Sequence, residues 1–347
     1  MKRLSILACI LFGLGHIAFG QDEDSDPQLD SAKNSKKYKP KISGFIQTQF
    51  LHPVESNGDE QTKPDRFRIQ RVRIKVTGKI NKDVSYQVEV DPRAPEVTGL
   101  LRDAYIALEY IPKHEIRIGQ QKTQFGYENV VSSSRLYFVN RTDVSDNLGR
   151  GNNLRDIGVG LIGKIKINDH LRFEDAITLV NGAGMNVQAD NNKKKNIWGR
   201  AGLRYKNNSL MTRVGVSGAR GDVLEIGADT LSIDIDRLGF DFQFEHKWFT
   251  AAAEYIKGTD NIPDEVAARS GYYFLFTGRT PWQIGPAFRY ENVDDGEFRR
   301  LVIGAYYGEP ASRIRLLANY EIRKTEADPD LPLGEDNRFY LWLMVRF

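Results

Sequence analysis

The chain has 347 residues, 40% of them hydrophobic, which is enough for one large domain or two small ones. Its 49 basic and 46 acidic residues give a formal charge of +3, and Lys2 and Arg3 supply two of those charges. Bulk charge therefore indicates neither a nucleic-acid partner nor an acidic one, and only the placement of individual charges can carry function.

The first twenty residues predict a secretory signal peptide. A basic start is followed by an apolar stretch from Leu4 to Leu14 and a small-residue end, so cleavage is expected before Gln21. The stretch is too short for a membrane anchor. A lipoprotein signal ending at Cys9, the only cysteine, would leave almost no apolar region. The mature chain is therefore expected to be exported and to contain no disulfide.

Residues 21–40 are polar, first acidic and then basic, and predict a flexible periplasmic lead-in. From Ile42 onward the chain is a series of stretches in which apolar and polar residues alternate. The clearest early stretch has Val72, Ile74 and Val76 alternating with Arg71, Arg73 and Lys75. Successive side chains of a strand point to opposite faces, so each stretch predicts a strand with one apolar and one polar face.

The last stretch, Arg338 to Phe347, has the same pattern and ends on the aromatic residue itself. An exposed strand edge this apolar invites aggregation in a soluble protein. In a closed membrane barrel the same strand has lipid on one side, the lumen on the other and the first strand as its partner. We count about 16 strands, the even number that single-chain bacterial barrels have.

The connections alternate in length. The short ones are 81–82, 111–113, 168–170, 207–208, 246–247, 279–281 and 308–312. The longer ones are His52–Asp65, Pro92–Thr98, Phe125–Asn152, Gly182–Lys195, Gly218–Asp229, Gly258–Ala268, Asn292–Glu297 and Lys324–Glu335. Short periplasmic turns and longer external loops are typical of transmembrane barrels. We therefore predict an all-β fold, a transmembrane antiparallel β-barrel of about 16 strands over residues 41–347, in the bacterial outer membrane.

Motifs for chemistry are weak in this chain. Gly158 to Gly163 matches a dinucleotide fingerprint, but its glycines lie in an alternating strand with no helix after them. The histidines show no metal-ligand spacing, and no serine–histidine pair suggests a hydrolase. We therefore predict no enzyme activity, no metal and no cofactor.

Basic residues are the most informative feature of the predicted inner faces. Rings of arginine or lysine select anions in pores, and the guanidinium group matches phosphate oxygens. The alternative is a wall of paired charges, because inward acids such as Glu89, Asp91 and Glu174 are also present. The candidate anion path comprises Arg71, Arg73, Lys75, Arg117, Arg200, Arg204, Arg313 and Arg315. Further inward arginines are Arg213, Arg289, Arg323, Arg338 and Arg346.

The longest loop, Phe125 to Asn152, is the third external one. A loop of this length inside a compact domain is usually functional. Folded inward, it would narrow the pore with hydroxyl groups and positive charge. Its candidate constriction residues are Ser133, Ser134, Arg135, Arg141 and Arg150.

Several stretches share their order and spacing with one known family. They are Phe67–Ile80, Tyr86–Asp91, Leu101–Ile106, Arg117–Gln120 with Lys122 and Phe125-Gly126, Ser133–Arg135 and Arg155–Val159. By these stretches the chain, from about Ile42 to Phe347, resembles the phosphate-selective porin O and P family.

The resemblance implies a trimeric 16-stranded barrel, a third loop folded into the pore and a ladder of arginines that passes anions. Arg71, Arg73, Arg117 and Lys122 lie in matching segments and would share that role. The chain departs from the family pattern at Gln124, where proline is expected.

The leading hypothesis is a passive pore for small anions, with phosphate favoured. One alternative is a general or organic-solute porin whose inward charges are paired. Another is a structural or adhesive barrel with a blocked lumen. The expected partners are small anions, outer-membrane lipid, two further copies of the chain in a homotrimer, and the barrel-assembly machinery through the strand that ends at Phe347.

Overall fold

A computed structural model describes residues 38–54, 65–94, 97–149, 155–187, 194–226, 230–262, 265–294, 298–325 and 337–347. In this part of the chain, sixteen antiparallel strands form one closed barrel, in which every strand pairs with its neighbours along the chain and the first pairs with the last. The predicted fold class and the predicted closing pair are confirmed. The predicted signal peptide and residues 21–37 of the predicted lead-in lie outside the described residues, and the first strand begins at Lys41.

The strands are β1 (Lys41–Val54), β2 (Arg66–Lys79), β3 (Val84–Val90), β4 (Leu101–Leu108), β5 (His114–Lys122), β6 (Arg155–Lys166), β7 (Leu171–Val180), β8 (Asn196–Lys206), β9 (Leu210–Ile226), β10 (Thr230–His246), β11 (Phe249–Ile262), β12 (Glu265–Gly278), β13 (Ile284–Val293), β14 (Phe298–Tyr307), β15 (Ile314–Thr325) and β16 (Asn337–Arg346). A four-residue helix, α1 (Val97–Leu100), precedes β4. A 3-10 turn (Ser133–Arg135) and a π-helical turn (Val144–Leu148) lie between β5 and β6. No helix among the described residues is long and apolar enough to cross a membrane.

The alternation of side chains gives the barrel an apolar exterior. In β16, Leu341 and Leu343 are 41% and 44% exposed, whereas Tyr340 and Trp342 on the opposite face are 1% and 2% exposed. Exposed aromatic residues lie at or beside the short turns: Tyr110, Tyr205, Trp248, Trp282, Tyr307 and Phe347. We call this end of the barrel the short-turn rim. An apolar band edged by aromatic residues is the exterior of a barrel that stands in a membrane.

Two of the predicted external loops are wrong. Residues 218–229 and 258–268 belong largely to long hairpins, in which β9 pairs with β10 as far as Ile226 and Thr230, and β11 with β12 as far as Ile262 and Glu265. The glycines that suggested loops lie inside strands. At Gly258 an added Cβ would come within 3.1 Å of Nε of Arg237 on the neighbouring strand, so this glycine makes room for a close approach and does not mark a turn.

Candidate functional site: the barrel interior

The loop between β5 and β6, described as far as Gly149, contacts the interior face of the barrel. Phe125 is fully buried, and its ring meets that of Trp198 edge to face with centroids 5.6 Å apart. The next residue, Gly126, donates its N–H to Oγ of Ser217 on β9 at 3.0 Å. We call residues 123–149 the third loop.

Acidic and amide side chains on β11, β13 and β15 accept the N–H groups of the third loop. Glu254 accepts from the N–H of Tyr127 at 2.9 Å and from the N–H of Glu128 at 3.3 Å. Asn319 Oδ1 accepts from the N–H of Val139 at 2.9 Å, and Glu291 accepts from the N–H of Asp143 at 2.6 Å. These bonds satisfy buried backbone donors that would otherwise cost free energy.

Arginines on the same wall donate to carbonyl groups of the third loop. Arg289 Nη1 lies 2.8 Å from the Asn140 carbonyl oxygen, and Arg300 Nη2 lies 2.6 Å from that of Arg141. Arg315 Nη1 reaches the Leu136 carbonyl oxygen at 2.8 Å. A charged donor makes a stronger hydrogen bond than a neutral one, so the loop is held firmly from this side.

Two of these buried arginines, Arg289 and Arg300, are also paired with acids. Arg289 lies 3.6 Å from Glu291, Arg300 lies 3.7 Å from Glu321 and makes a closer contact with Glu291, and Arg323 lies 3.0 Å from Glu321. A buried charge needs such partners to offset its loss of water. We call the interior face of β10–β16 the clamp wall, because its charges hold the loop and one another.

The interior face of β2–β9, which we call the accessible wall, carries half-buried charges. Basic residues on it that are neither buried nor fully exposed are Arg71, Lys75, Arg117, Lys122, Arg172, Arg200, Arg204 and Arg213. Acidic residues that face them include Glu89, Glu115 and Glu174, with exposures of 15–30%. The third loop leaves much of this wall uncovered, because most of its contacts are with the clamp wall.

Several of the predicted site residues line one cavity of about 450 Å³ between the loop and β1–β3. Its lining residues are Ser43, Gly44, Phe45, Arg73, Lys75, Glu89, Val130, Val131, Ser132, Ser134, Arg135 and Arg346. Four of these side chains are cationic and one is anionic, and three are serine hydroxyls. Cations and hydroxyl donors together suit an oxyanion.

Other predicted path residues are engaged in ion pairs. Arg73 contacts Asp91 and lies 3.7 Å from Glu89. Arg200 binds both carboxylate oxygens of Asp241, at 3.1 and 2.5 Å. Arg117 donates to Glu115 at 2.6 Å, and its guanidinium group lies 4.8 Å from the centre of the Tyr105 ring. Part of the predicted basic surface is therefore neutralised, as the alternative of a paired wall expects.

Three predicted cations hold the loop instead of facing open lumen. Lys122 Nζ donates to the carbonyl oxygens of Asn129 and Val131 at 2.7 and 3.1 Å. Arg141 donates to the Val131 carbonyl oxygen at 2.6 Å, and Arg315 is fully buried. These long side chains use their charge to organise backbone within the loop and between loop and wall.

The remaining predicted site residues belong neither to the cavity lining nor to the ion pairs described above. Arg71 donates to Oε1 of Gln47 at 3.1 Å, and the Ser133 carbonyl oxygen accepts from Nε2 of the same glutamine at 3.4 Å. Arg313 is exposed in the turn before β15, so its predicted place on a strand face is wrong; the turn runs one residue further than the alternation suggested. Arg150 lies outside the described residues.

Arg204 belongs to a row of basic residues that the sequence pattern did not bring together. Direct cross-strand pairing joins Lys166 of β6 to Arg172 of β7, Arg172 to Arg204 of β8, and Arg204 to Arg213 of β9. Like charges opposite one another repel. Asp169 at 2.6 Å from Lys166 and Glu174 at 3.2 Å from Arg213 offset part of this, but within the described residues Arg172 and Arg204 have no acidic partner within 4.0 Å. We call these four residues the basic row.

Burial also perturbs ionisable groups in the third loop. It raises the pKa of the Asp146 carboxyl, an effect that the nearby Arg141 guanidinium opposes. It raises the pKa of the Tyr137 phenol, which the hydrogen bond from Arg279 opposes. Tyr137 is therefore neutral at ordinary pH and can accept from Arg279 at 2.7 Å while it donates to Glu309 at 3.4 Å.

Sequence reasoning missed the residues that hold the loop, chiefly Glu254, Arg300 and Asn319. A usable signal exists, because arginine and glutamate alternate two residues apart on β13 and β15, as in Arg289 with Glu291. When opposite charges lie on the interior faces of several neighbouring strands, they indicate a network of ion pairs.

Among the described residues no group of three or more histidine, cysteine or acidic side chains could hold a metal ion.

Comparisons with known proteins agree with this architecture. Residues 49–223 match the family model described as phosphate-selective porin O and P. The fold is similar to that of OmpT, an outer membrane protein of Vibrio cholerae in its trimer form, with 13% identity and a TM-score of 0.59 over 89% of this chain and 99% of that one. It is also similar to Salmonella typhi OmpF in complex with daunomycin, with 13% identity and a TM-score of 0.61 over 89% and 98% of the two chains. No curated protein sequence matches the chain.

Proposed function

The chain belongs to the phosphate-selective porin O and P family, and from this membership we propose that it is a passive channel for small anions, with phosphate and related oxyanions as the favoured solutes. That the chain is an outer-membrane porin follows from the family and from the closed barrel. The preference for anions is inferred from the charges that face the lumen.

The observation that carries this proposal is the imbalance of charge on the accessible wall. Within the described residues Lys75, Arg172 and Arg204 lie in no ion pair and are only half buried, while the nearby acids Glu89 and Glu174 lie against arginines. Each unpaired cation attracts a passing anion more strongly beside a low-dielectric wall than in bulk water. Several moderate sites in series let an anion enter and also leave.

Planar-bilayer recording of the purified protein tests the proposal. In a salt gradient of potassium chloride, the reversal potential should have the sign of an anion-preferring channel. When phosphate replaces chloride, conductance should saturate at a lower concentration, because a doubly charged oxyanion binds the same guanidinium groups more tightly. A reversal potential near zero, or one of cation sign, would contradict the proposal.

A general porin for organic solutes is the second candidate. The ion pairs Arg73–Asp91, Arg117–Glu115 and Arg200–Asp241 favour this candidate, because paired charges make the lumen polar without giving it a large net charge. This candidate expects weak ion preference together with uptake of uncharged solutes, which liposome swelling with sugars measures.

We also propose that three copies of the chain assemble through their apolar exteriors and that outer-membrane lipid covers the rest. OmpT of Vibrio cholerae, which shares the fold, is described in a trimer form. The exposed aliphatic residues of the barrel exterior can pack against another copy of the chain and against lipid.

Phe347 is expected to contribute to recognition by the barrel-assembly machinery. Its N–H and carbonyl groups pair with those of Gly44 at 3.0 and 2.9 Å, so it completes the seam between β1 and β16. Deleting Phe347 removes both bonds and the aromatic ring that covers Gly44, and we expect less heat-modifiable, membrane-inserted protein on gels. Phe347→Tyr, which keeps the ring and the backbone bonds, is the control. Equal insertion of the deletion variant and the wild type would contradict this role.

A further inference from the structure

Arg346, the last residue of β16, joins the end of the chain to the third loop. Its Nη2 donates to the carbonyl oxygen of Ser134 at 3.0 Å, to Oγ of the same serine at 3.2 Å and to the Pro310 carbonyl oxygen at 3.1 Å. Its Nη1 donates to the Ala311 carbonyl oxygen at 3.0 Å. One guanidinium group thus binds the 3-10 turn of the loop and the turn between β14 and β15.

Arg315 binds the same turn of the loop from the next strand. Its Nη1 donates to the carbonyl oxygens of Ser134 and Leu136 at 3.0 and 2.8 Å, and its Nε to that of Gly308 at 3.1 Å. Two arginines on adjacent strands therefore share the Ser134 carbonyl oxygen and both reach the turn between β14 and β15. Together they connect the 3-10 turn of the loop to the turn between β14 and β15 at the short-turn rim.

The two arginines differ in what else they face. Arg315 is fully buried. Arg346 lines the cavity between the third loop and β1–β3 together with Ser134, Arg135 and Lys75. Because Arg135 directly follows Ser134 in the 3-10 turn, the position of its exposed side chain depends on where that turn is held.

We propose that Arg346 is a positioning residue of the anion path, which fixes the Ser134–Arg135 turn from the last strand and so keeps Arg135 among the cations that line the cavity. This inference rests on the proposed anion channel. It makes the loop's contribution to selectivity depend on the strand that closes the barrel, because Arg346 pairs directly with Phe45 of β1.

Arginine suits this role for a reason of geometry. The guanidinium group presents five N–H donors in a rigid plane, and here it reaches three carbonyl oxygens and a hydroxyl group from two segments. A lysine keeps the charge but offers three donors at one point on a flexible stem, so it cannot hold both segments at once.

Arg346→Lys is therefore the decisive variant, with Arg346→Ala beside it. Single-channel current noise and the reversal potential are recorded in potassium chloride for both variants and the wild type. We expect Arg346→Ala to show partial closures at least about tenfold more often than wild type, because loss of even one hydrogen bond to a charged group brings a change of about that size. Arg346→Lys should lie between the two in noise and also lose part of the anion preference, although its charge is unchanged. Lys82→Ala, which removes an exposed charge at the same rim, is the control and should match the wild type.

If Arg346 acted only through its charge, Arg346→Lys would equal the wild type in current noise and in reversal potential. That result would overturn the proposal. Should Arg346→Ala fail to insert, Arg346→Lys, Arg315→Lys and the double variant form a cycle. Because both arginines share one carbonyl oxygen, their effects on noise should be non-additive, and simple additivity would also overturn the proposal. If the wild type proves not to prefer anions, the proposed function fails, while the noise of the same variants still reports on the loop.

Discussion

A channel with Arg172→Glu and Arg204→Glu should lose its preference for anions and come to prefer cations. The two side chains are direct cross-strand partners in the basic row and, within the described residues, lie in no ion pair. Each substitution changes the local charge by two units. A unit charge 4 Å from an ion is worth about 1 kcal/mol even in bulk water, so after screening by salt we expect the anion-to-cation permeability ratio to fall by about tenfold or more. The reversal potential in a salt gradient measures this ratio.

The fold should tolerate this change. The new carboxylates would lie opposite Lys166 and Arg213, so the row would gain two attractive pairs and keep one repulsive pair, that between the two carboxylates. A control for charge reversal at exposed positions is the pair Lys194→Glu and Arg220→Glu. Their side chains are 58% and 85% exposed near the far end of the long hairpin, in ion pairs with Asp234 and Asp236. An unchanged reversal potential in the basic-row variant would place selectivity elsewhere, first of all in the cavity that Lys75 and Arg135 line.

Charge reversal at Arg73 is a poorer test. A glutamate there would lie against Asp91 and Glu89, the two acids that now hold the arginine, and three carboxylates would be crowded at a site that is only 7% exposed. Such a variant should fold badly. Selectivity at this part of the wall is better examined with Lys75→Gln, because Lys75 lies directly opposite Glu89 and a glutamate there would also face that acid.

Releasing the third loop should have the second large effect, a wider pore. Glu254 accepts from the N–H groups of Tyr127 and Glu128, from Oγ of Ser145 at 3.3 Å and from the Tyr273 hydroxyl at 2.9 Å. Glu254→Ala leaves these four donors without their acceptor, at a cost of about 1–3 kcal/mol for each donor that stays buried. We expect the first part of the loop to leave the wall and single-channel conductance to rise about twofold or more, since the loop no longer narrows the lumen.

Gly126 supplies an independent test of the same anchor. Its φ is +68°, in the left-handed region that favours glycine, and an added Cβ would lie 2.0 Å from Oε1 of Glu254. Gly126→Ala should therefore also raise conductance and expose the loop to proteolysis. Glu245→Ala, which removes an interior carboxylate bound to Gln243 and not to the loop, should leave both unchanged. Wild-type conductance in both anchor variants would show that the loop keeps its place without Glu254.

Strand faces could be predicted because they depend on neighbours along the chain. In β16 the alternation of Tyr340, Leu341, Trp342 and Leu343 is sufficient to tell interior from exterior, since the side-chain period of a strand is two. The interior position of Arg71, Arg73 and Arg117 follows in the same way. The ends of β9 to β12 could not be placed, because glycine marks a turn and a close approach equally well.

The partners of interior charges could not be predicted from the sequence. Whether an inward arginine attracts a solute, pairs with an acid or holds a backbone carbonyl depends on which distant residue the register places beside it. Arg204 and Arg315 have the same local pattern, yet one lies in the basic row and the other is buried against the third loop. The alternation of β11 indicates Glu254 as an inward acid, but three of its four hydrogen bonds depend on where a loop more than 100 residues away comes to rest.

The clamp wall also has a consequence for the order of folding. Sheet pairing mostly joins strands that are neighbours along the chain, whereas the clamp joins residues as far apart as Val139 and Asn319, separated by 180 positions, and Ser134 and Arg346, separated by 212. Contacts between distant residues form slowly, because long segments must first be brought together. The third loop precedes β6–β16 in the chain and can dock only on strands that have already paired. We therefore expect a newly inserted barrel to begin with a broad bore and to acquire its constriction afterwards, seen as a falling unit conductance with time after refolding into a bilayer.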